Sequence, residues 1–246
     1  MSKNISTTPP VSCTLCPRRC GADRAAGQTG FCGAGGTLKA ARAALHFWEE
    51  PCISGTRGSG TVFFSGCTLK CCFCQNYPIS AEGLGKEITI EHLAEIFLDL
   101  QKQGAHNINL VTPGQWRPWI IAALDIARTE GLRLPIVCNT GGYETVESVD
   151  AWRSYIDIWL ADLKYVSSSL SAELSSAPDY FAQARPAIEA MMAQAAILCS
   201  TARASYRKAS SCGIWPCPAT STTALPSSTR WPHGTRLTPA ASSPVS

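Results

Sequence analysis

Residues 61–74 read Thr61-Val62-Phe63-Phe64-Ser65-Gly66-Cys67-Thr68-Leu69-Lys70-Cys71-Cys72-Phe73-Cys74. The first four residues are a short apolar run of strand type. A Ser-Gly turn follows, and then thiols at C-x3-C-x2-C spacing. Three thiolates in one loop can bind three irons of a cubane cluster, which leaves the fourth iron without a ligand from that loop. A reactive metal site needs such an open position. A fourth ligand elsewhere would make an ordinary electron carrier or a zinc knot instead. Cys72 is an alternative ligand, but a thiol adjacent to Cys71 should point away from the cluster.

Downstream, strand and helix patterns alternate. Thr89 can cap a helix running to about Gln103, with Ile90, Leu93, Ile96, Phe97 and Leu100 on one face and Gly104 at its end. Ile108–Val111 reads as a strand, Trp116–Arg128 as a helix, Leu134–Cys138 as a strand, Val146–Ser154 as a short helix, Ile156–Ala161 as a strand and Ala177–Ala196 as a helix. Short links between alternating elements imply parallel strands with crossover helices, in a doubly wound sheet or a full or partial barrel. Barrel chemistry sits at the C-terminal strand ends, which is where the three-cysteine loop falls.

Upstream, Cys13, Cys16, Cys20 and Cys32 have the spacing C-x2-C-x3-C-x11-C in a Gly-rich stretch. Four ligands would close a structural zinc site or a second iron–sulfur cluster, and spacing does not choose between them. Residues 38–52 form a connector. The Gly55–Gly60 turn lacks a following Gly-Lys-Ser/Thr, which argues against a phosphate loop. Cys52 and Cys138 are expected in the core. His46, His92 and His106 are isolated and are expected in core or surface roles.

The chain has 246 residues, 13 cysteines and a net charge of +3. So many cysteines point to metal or cluster binding in a reducing compartment. The polar N-terminus lacks a signal core and no run of eighteen apolar residues occurs, so a cytoplasmic protein without a membrane span is expected. Five of the 21 Lys/Arg and none of the 18 Asp/Glu lie from Cys199 onward, leaving 16 basic against 18 acidic residues before it. That balance gives no basic face for nucleic acid.

The C-x3-C-x-aromatic-C motif resembles the radical S-adenosylmethionine (SAM) signature. The stretch SGTRGSGTVFFSGCTLKCCFCQNYPIS is similar to the branch containing pyruvate formate-lyase activating enzyme. The resemblance runs from about Cys13 to Ala193, through CTLCPRRCGADRAAGQTGFCGAG, ARAALHFWEEP, GAHNINLVTP, LPIVCNTGGYE and DIWLADLKY. It implies a partial (β/α)6 TIM-like barrel, a [4Fe-4S] cluster on Cys67, Cys71 and Cys74, and SAM on the open iron. It also implies an oxidoreductase that splits SAM reductively into methionine and a 5′-deoxyadenosyl radical for hydrogen abstraction. An electron donor such as flavodoxin or ferredoxin, and a protein substrate such as a glycyl radical enzyme, would be its partners. Phe73 would lie near the adenine. Asn139 and Thr140, and then Asp162 and Lys164, would contact SAM or substrate from two strand ends, with a helix cap or surface ion pair as the alternative role. Where relatives carry a carboxylate for the SAM amino group, or Thr-Pro-Thr-His, this chain has Thr112-Pro113-Gly114-Gln115.

Residues 199–246 are about three-fifths Ser, Thr, Ala and Pro, a composition that predicts disorder. A shifted reading frame over Lys208–Ala224 permits GVIVRHLALPGHVDDS, in which the Ala is forced because Trp215 has a single codon. That string looks like the family's continuation. The expected organisation is therefore a Cys-rich module and connector over 1–52, a radical SAM partial barrel over 53–196 truncated after about four βα units, and a disordered or frameshifted tail over 197–246. An iron–sulfur or zinc protein without SAM chemistry, or an inactive fragment, is the alternative.

Overall fold

The computed structural model describes residues 7–201, with side chains through residue 195. The expected tail, its frameshift and its protease sensitivity lie outside the described residues, apart from a helical stretch reaching Thr201.

The elements are β1 (Lys39–His46), α1 (Pro51–Ser54), β2 (Ser59–Phe64), α2 (Tyr77–Ser80), β3 (Lys86–Glu87), α3 (Ile90–Lys102), β4 (Ile108–Val111), a 3-10 turn (Gly114–Trp116), α4 (Arg117–Thr129), β5 (Ile136–Thr140), α5 (Val146–Trp152), β6 (Ile158–Ala161), α6 (Ser168–Ser175) and α7 (Tyr180–Thr201). They build one six-stranded sheet of order β3-β1-β2-β4-β5-β6. β2, β4, β5 and β6 run parallel, as alternating strand and helix require. β1 and β3 join antiparallel on the other side of β2.

The helices start where local chemistry directs. The Thr89 side chain accepts from the His92 amide at 3.1 Å, and the Thr145 side chain from the Ser148 amide at 3.0 Å, so each satisfies a helix-end donor. α3 buries Leu93, Ala94, Phe97 and Leu100, while the expected face members Ile90 and Ile96 are only partly buried. α4 buries Trp119, Ile120, Ile121, Ala123, Leu124 and Ala127.

Strand alternation sorts the sheet into two faces. Val62, Phe64, Ile108, Leu110, Ile136, Cys138, Trp159 and Ala161 belong to the continuous core with the helices. On the opposite face Thr61, Asn109 and Val137 are fully buried, whereas Phe63, Val111, Asn139, Ile158 and Leu160 are only partly buried. The sheet is open and does not close into a barrel. β6 is its last strand among the described residues.

The connector over 38–52 is not a separate segment. Lys39–His46 forms β1, paired with β2 from Ala40↔Phe64 to His46↔Ser59, with an irregularity between Ala40 and Arg42. Its Ala-rich sequence, KAARAALH, has no strand propensity of its own. The unpaired edge of β2 recruits it.

Candidate metal centre

The three-cysteine loop leaves the C-terminal end of β2 and returns through α2. Its geometry starts at Gly66, at φ +82°, where an added Cβ would stand 2.3 Å from the carbonyl oxygen of Cys32. Only glycine allows the N-terminal module to approach so closely. The next amide, of Cys67, donates to that same Cys32 oxygen at 3.2 Å.

Each of the three thiols receives at least one hydrogen bond. The Leu69 amide donates to Cys67 Sγ at 3.4 Å, the Ser80 hydroxyl to Cys74 Sγ at 3.3 Å and the Ser175 hydroxyl to Cys71 Sγ at 2.9 Å. Tyr165 Oη lies 2.7 Å from Ser175 Oγ. If the tyrosine donates there, the single serine proton is left for the sulfur. Cys72 is exposed, and its amide donates to Leu174 O at 3.0 Å. Desolvation pushes the Cys67 thiol up to about 11 against the amides of Leu69 and Lys70, with Cys71 and Cys74 adding to the rise. Metal binding would release that proton.

The loop is held from outside by Arg18. Its Nε donates to Thr68 O at 2.9 Å, its Nη groups to Ser175 O (3.0 Å) and to Ser176 O, and its guanidinium stacks on Phe31 at 3.8 Å. Gln115 lies beneath, its amide donating to Ser65, Gly66 and Thr112 carbonyls. The Gly114-Gln115 pair is therefore structural support for the loop.

The expected SAM or substrate contacts divide. Phe73 is 54 % exposed and meets Tyr165 edge-on at 6.4 Å. Lys164 and Asp162 form an ion pair, and Lys164 comes near the loop: a Cβ on Gly141 would lie 2.9 Å from Leu69 Cδ1 and 3.4 Å from Lys164 Cε. Tyr180 ties these strand ends together, donating to Gly141 O at 2.8 Å or Asp162 O at 3.0 Å and accepting from the Lys164 amide at 2.9 Å. Asn139 stays on the open face, donating to Glu49 Oε2 at 3.2 Å beside Asn109 at 2.8 Å. Burial, then the neighbouring Glu50, raises the Glu49 carboxyl above its usual range. Thr140 faces the helices instead and donates to Glu144 Oε1 at 3.1 Å.

Glu144 escaped the sequence reading. It is buried, accepts from Thr140 and Ser148, and its carboxylate sits where a Cβ on Gly114 would come within 2.6 Å. Burial raises its pKa, opposed by Ser148, Arg117 and Thr140. It belongs to the quoted LPIVCNTGGYE stretch, but nothing local marks it as buried. Ser175, Ser80 and Arg18 were missed as well.

In the N-terminal module, Cys13, Cys16 and Cys32 are buried and Cys20 is exposed. A Cβ on Gly30 would lie 2.9 Å from Cys20 Sγ and 3.6 Å from Cys32 Sγ, so glycine keeps both sulfurs beside one point. Burial pushes the Cys16 thiol up to about 12 and raises Cys32 as well. One zinc ion would need its sulfurs about 2.3 Å from a single centre. No group of three or more His, Cys, Asp or Glu among the described residues is so gathered. Cys138 is buried on β5 as expected, whereas Cys52 is exposed. His92 is exposed beside Glu95, His106 accepts from the Arg57 amide at 3.2 Å, and His46 meets Phe63 edge-on at 6.0 Å.

The comparisons agree with this geometry. Residues 54–174, from α1 to the end of α6 and including all three loop thiols, match the family model described as a 4Fe-4S single cluster domain. Iron–sulfur binding is thus the class that the fold, the loop and the match support together. The chain is also similar to uncharacterized protein MJ0674 of Methanocaldococcus jannaschii, 29 % identical over 177 residues, which cover 69 % of this chain and 50 % of that protein. The chain thus spans about half the length of the curated relative it matches. No described helix is long and apolar enough to cross a membrane.

Proposed function

We propose that the protein is a radical SAM oxidoreductase whose [4Fe-4S] cluster is held by Cys67, Cys71 and Cys74. The observation that carries the reading is the set of three hydrogen bonds, from Leu69, Ser80 and Ser175, to the sulfurs of Cys67, Cys74 and Cys71. Donors aimed at cysteine sulfurs tune and stabilise cluster thiolates. Three ligands leave one iron open, and SAM bound there would supply a carbon radical for hydrogen abstraction on reduction.

The chain's own part is binding and shielding. Phe73 is exposed beside the loop and offers a ring face to an adenine. Lys164 and Asp162 stand at the loop's rim, where they can meet carboxylate and ammonium groups. Asn139 and Glu49 place polar groups on the half-open sheet face. A protein bearing the abstracted hydrogen, as in glycyl radical enzymes, is the substrate class the resemblance supports, with a flavodoxin or ferredoxin as reductant.

The test is anaerobic reconstitution of the parent and of the Cys67→Ala/Cys71→Ala/Cys74→Ala variant. The variant should lose about four irons per chain relative to the parent. Added SAM should change the reduced parent's paramagnetic signal and, with dithionite, yield 5′-deoxyadenosine. No iron loss in the variant rejects the ligand assignment. A full cluster that ignores SAM leaves an electron carrier as the better reading.

A further inference from the structure

The sheet face opposite the continuous core is covered over one half only. The segment after β1 crosses the half towards the strand starts. There the Asn107 side chain donates to Ile53 O at 2.8 Å, the Ser54 hydroxyl accepts from the Glu49 amide at 3.0 Å, and Thr61 and Asn109 are fully buried. One side-chain row further along, Phe63, Val111, Asn139 and Leu160 pair in register and stay only partly buried. Glu49 stands on the boundary. Its Oε2 accepts from Asn109 at 2.8 Å in the covered half and from Asn139 at 3.2 Å in the other.

This boundary holds acceptors that lack donors. Asn109 is 0 % exposed. Its Nδ2 is engaged by Glu49, while its Oδ1, on the same carbon and about 2.3 Å from that nitrogen, meets no donor. Glu50 has a buried Oε2 that meets none either, and its side chain caps no amide of α1. Burial, and then the Glu50 carboxyl within hydrogen-bond reach, raise Glu49 above the usual carboxylate range. Among the described residues no Lys, Arg or His forms an ion pair with either glutamate. A buried acceptor without a donor is unfavourable, and an unpaired carboxylate is more so. Water supplies donors but no charge. A protonated amine or a guanidinium supplies both. Trp48, beside Glu49 in the chain, is 90 % exposed, and an exposed indole face attracts such cations.

We propose that Glu49, Glu50 and Asn109 form a subsite for an organic cation, a protonated amine or guanidinium, at the edge of the open half of the sheet face. The subsite stands without the loop cluster. That the cation belongs to the substrate of the radical chemistry rests on the function proposed above, the open half being the one that leads through Phe63 to the Cys67 loop.

The experiment titrates the full chain with n-butylamine hydrochloride and with methylguanidine hydrochloride in a calorimeter. n-Butanol and sodium chloride at matched concentrations are the controls, and nitrogen-edited NMR follows the Asn109 and Asn139 side-chain amides. At least one of the two cations should bind saturably and shift both amide resonances. It should also raise the thermal midpoint by about 3–5 °C at ten times its dissociation constant, and the controls should do none of this. Glu50→Gln removes one charge and offers a neutral donor in its place. It should raise the midpoint of the ligand-free chain, because an unpaired charge leaves the interior, and weaken cation binding about tenfold or more. A glutamate kept for packing alone would lower that midpoint and leave no cation to lose. Binding of neither cation, an equal effect from sodium chloride, unchanged affinity in Glu50→Gln, or a lowered midpoint in that variant each overturns the subsite. The Cys67→Ala/Cys71→Ala/Cys74→Ala variant should bind the cation as the parent does. Iron retained by that variant rejects the loop ligands and leaves the subsite standing, so the two failures are distinct.

Discussion

Ser175 shows how a single side chain reaches a site that its sequence position does not announce. It lies 104 residues from Cys71, at the end of α6, yet its hydroxyl is the donor nearest to any loop sulfur. Tyr165 orients it, and burial pushes the Tyr165 hydroxyl up to about 12, so it remains a neutral donor at ordinary pH. A hydrogen bond to a cluster sulfur favours the more negative, reduced state. Ser175→Ala should therefore leave iron content unchanged and lower the loop cluster's midpoint potential by up to about 60 mV, a tenfold change for one electron. A potentiometric titration followed by paramagnetic resonance checks this. The three loop cysteines were legible because their spacing is local. Ser80, Ser175 and Arg18 were not, since serine and arginine are common and only folding sets them beside sulfur.

At the scale of elements, the loop between β2 and α2 depends on what docks against it. Gly66 admits the Cys32 carbonyl, and Arg18 then joins Thr68 to the end of α6. Gly66→Ala adds a Cβ against backbone and forces a left-handed conformation on an L-residue. It should cost about 1–3 kcal/mol, read as a lowered thermal midpoint, and it should weaken the Cys67 N–H to Cys32 contact, seen as faster amide exchange at Cys67. The parallel strands and main helices were legible from period and caps, with boundaries moved by a residue or two, except that α7 starts three residues later and ends five residues later than expected. β1 was not, because its alanines and Arg42 favour a helix, and only the hydrogen-bonding edge of β2 makes a strand of them. α1, α2 and β3 are too short to carry a periodic signal.

At the scale of the molecule, the sheet has one face sealed by helices and one left partly open. Ile158 and Leu160 on β6 are only partly buried and lie outside the continuous core, on a strand that pairs only with β5 among the described residues. An apolar edge of this kind invites pairing with another chain. Leu160→Lys should reduce concentration-dependent association measured by light scattering while changing stability by less than about 1 kcal/mol. A large loss of stability would mean that this face is covered.

The sequence by itself determined the three-cysteine loop and the alternation of strand and helix. Both are written in local spacing: thiols a few residues apart must share one loop, and apolar periods of two and of about three and a half select strand and helix. Only the tertiary structure decided that the sheet stays open, that the connector becomes its antiparallel strand, and that Arg24 is buried between Trp116 and Trp119. Those outcomes depend on which edges and charges meet across the fold. Pairing, burial and charge balance between distant residues arise from packing, and no local pattern records them.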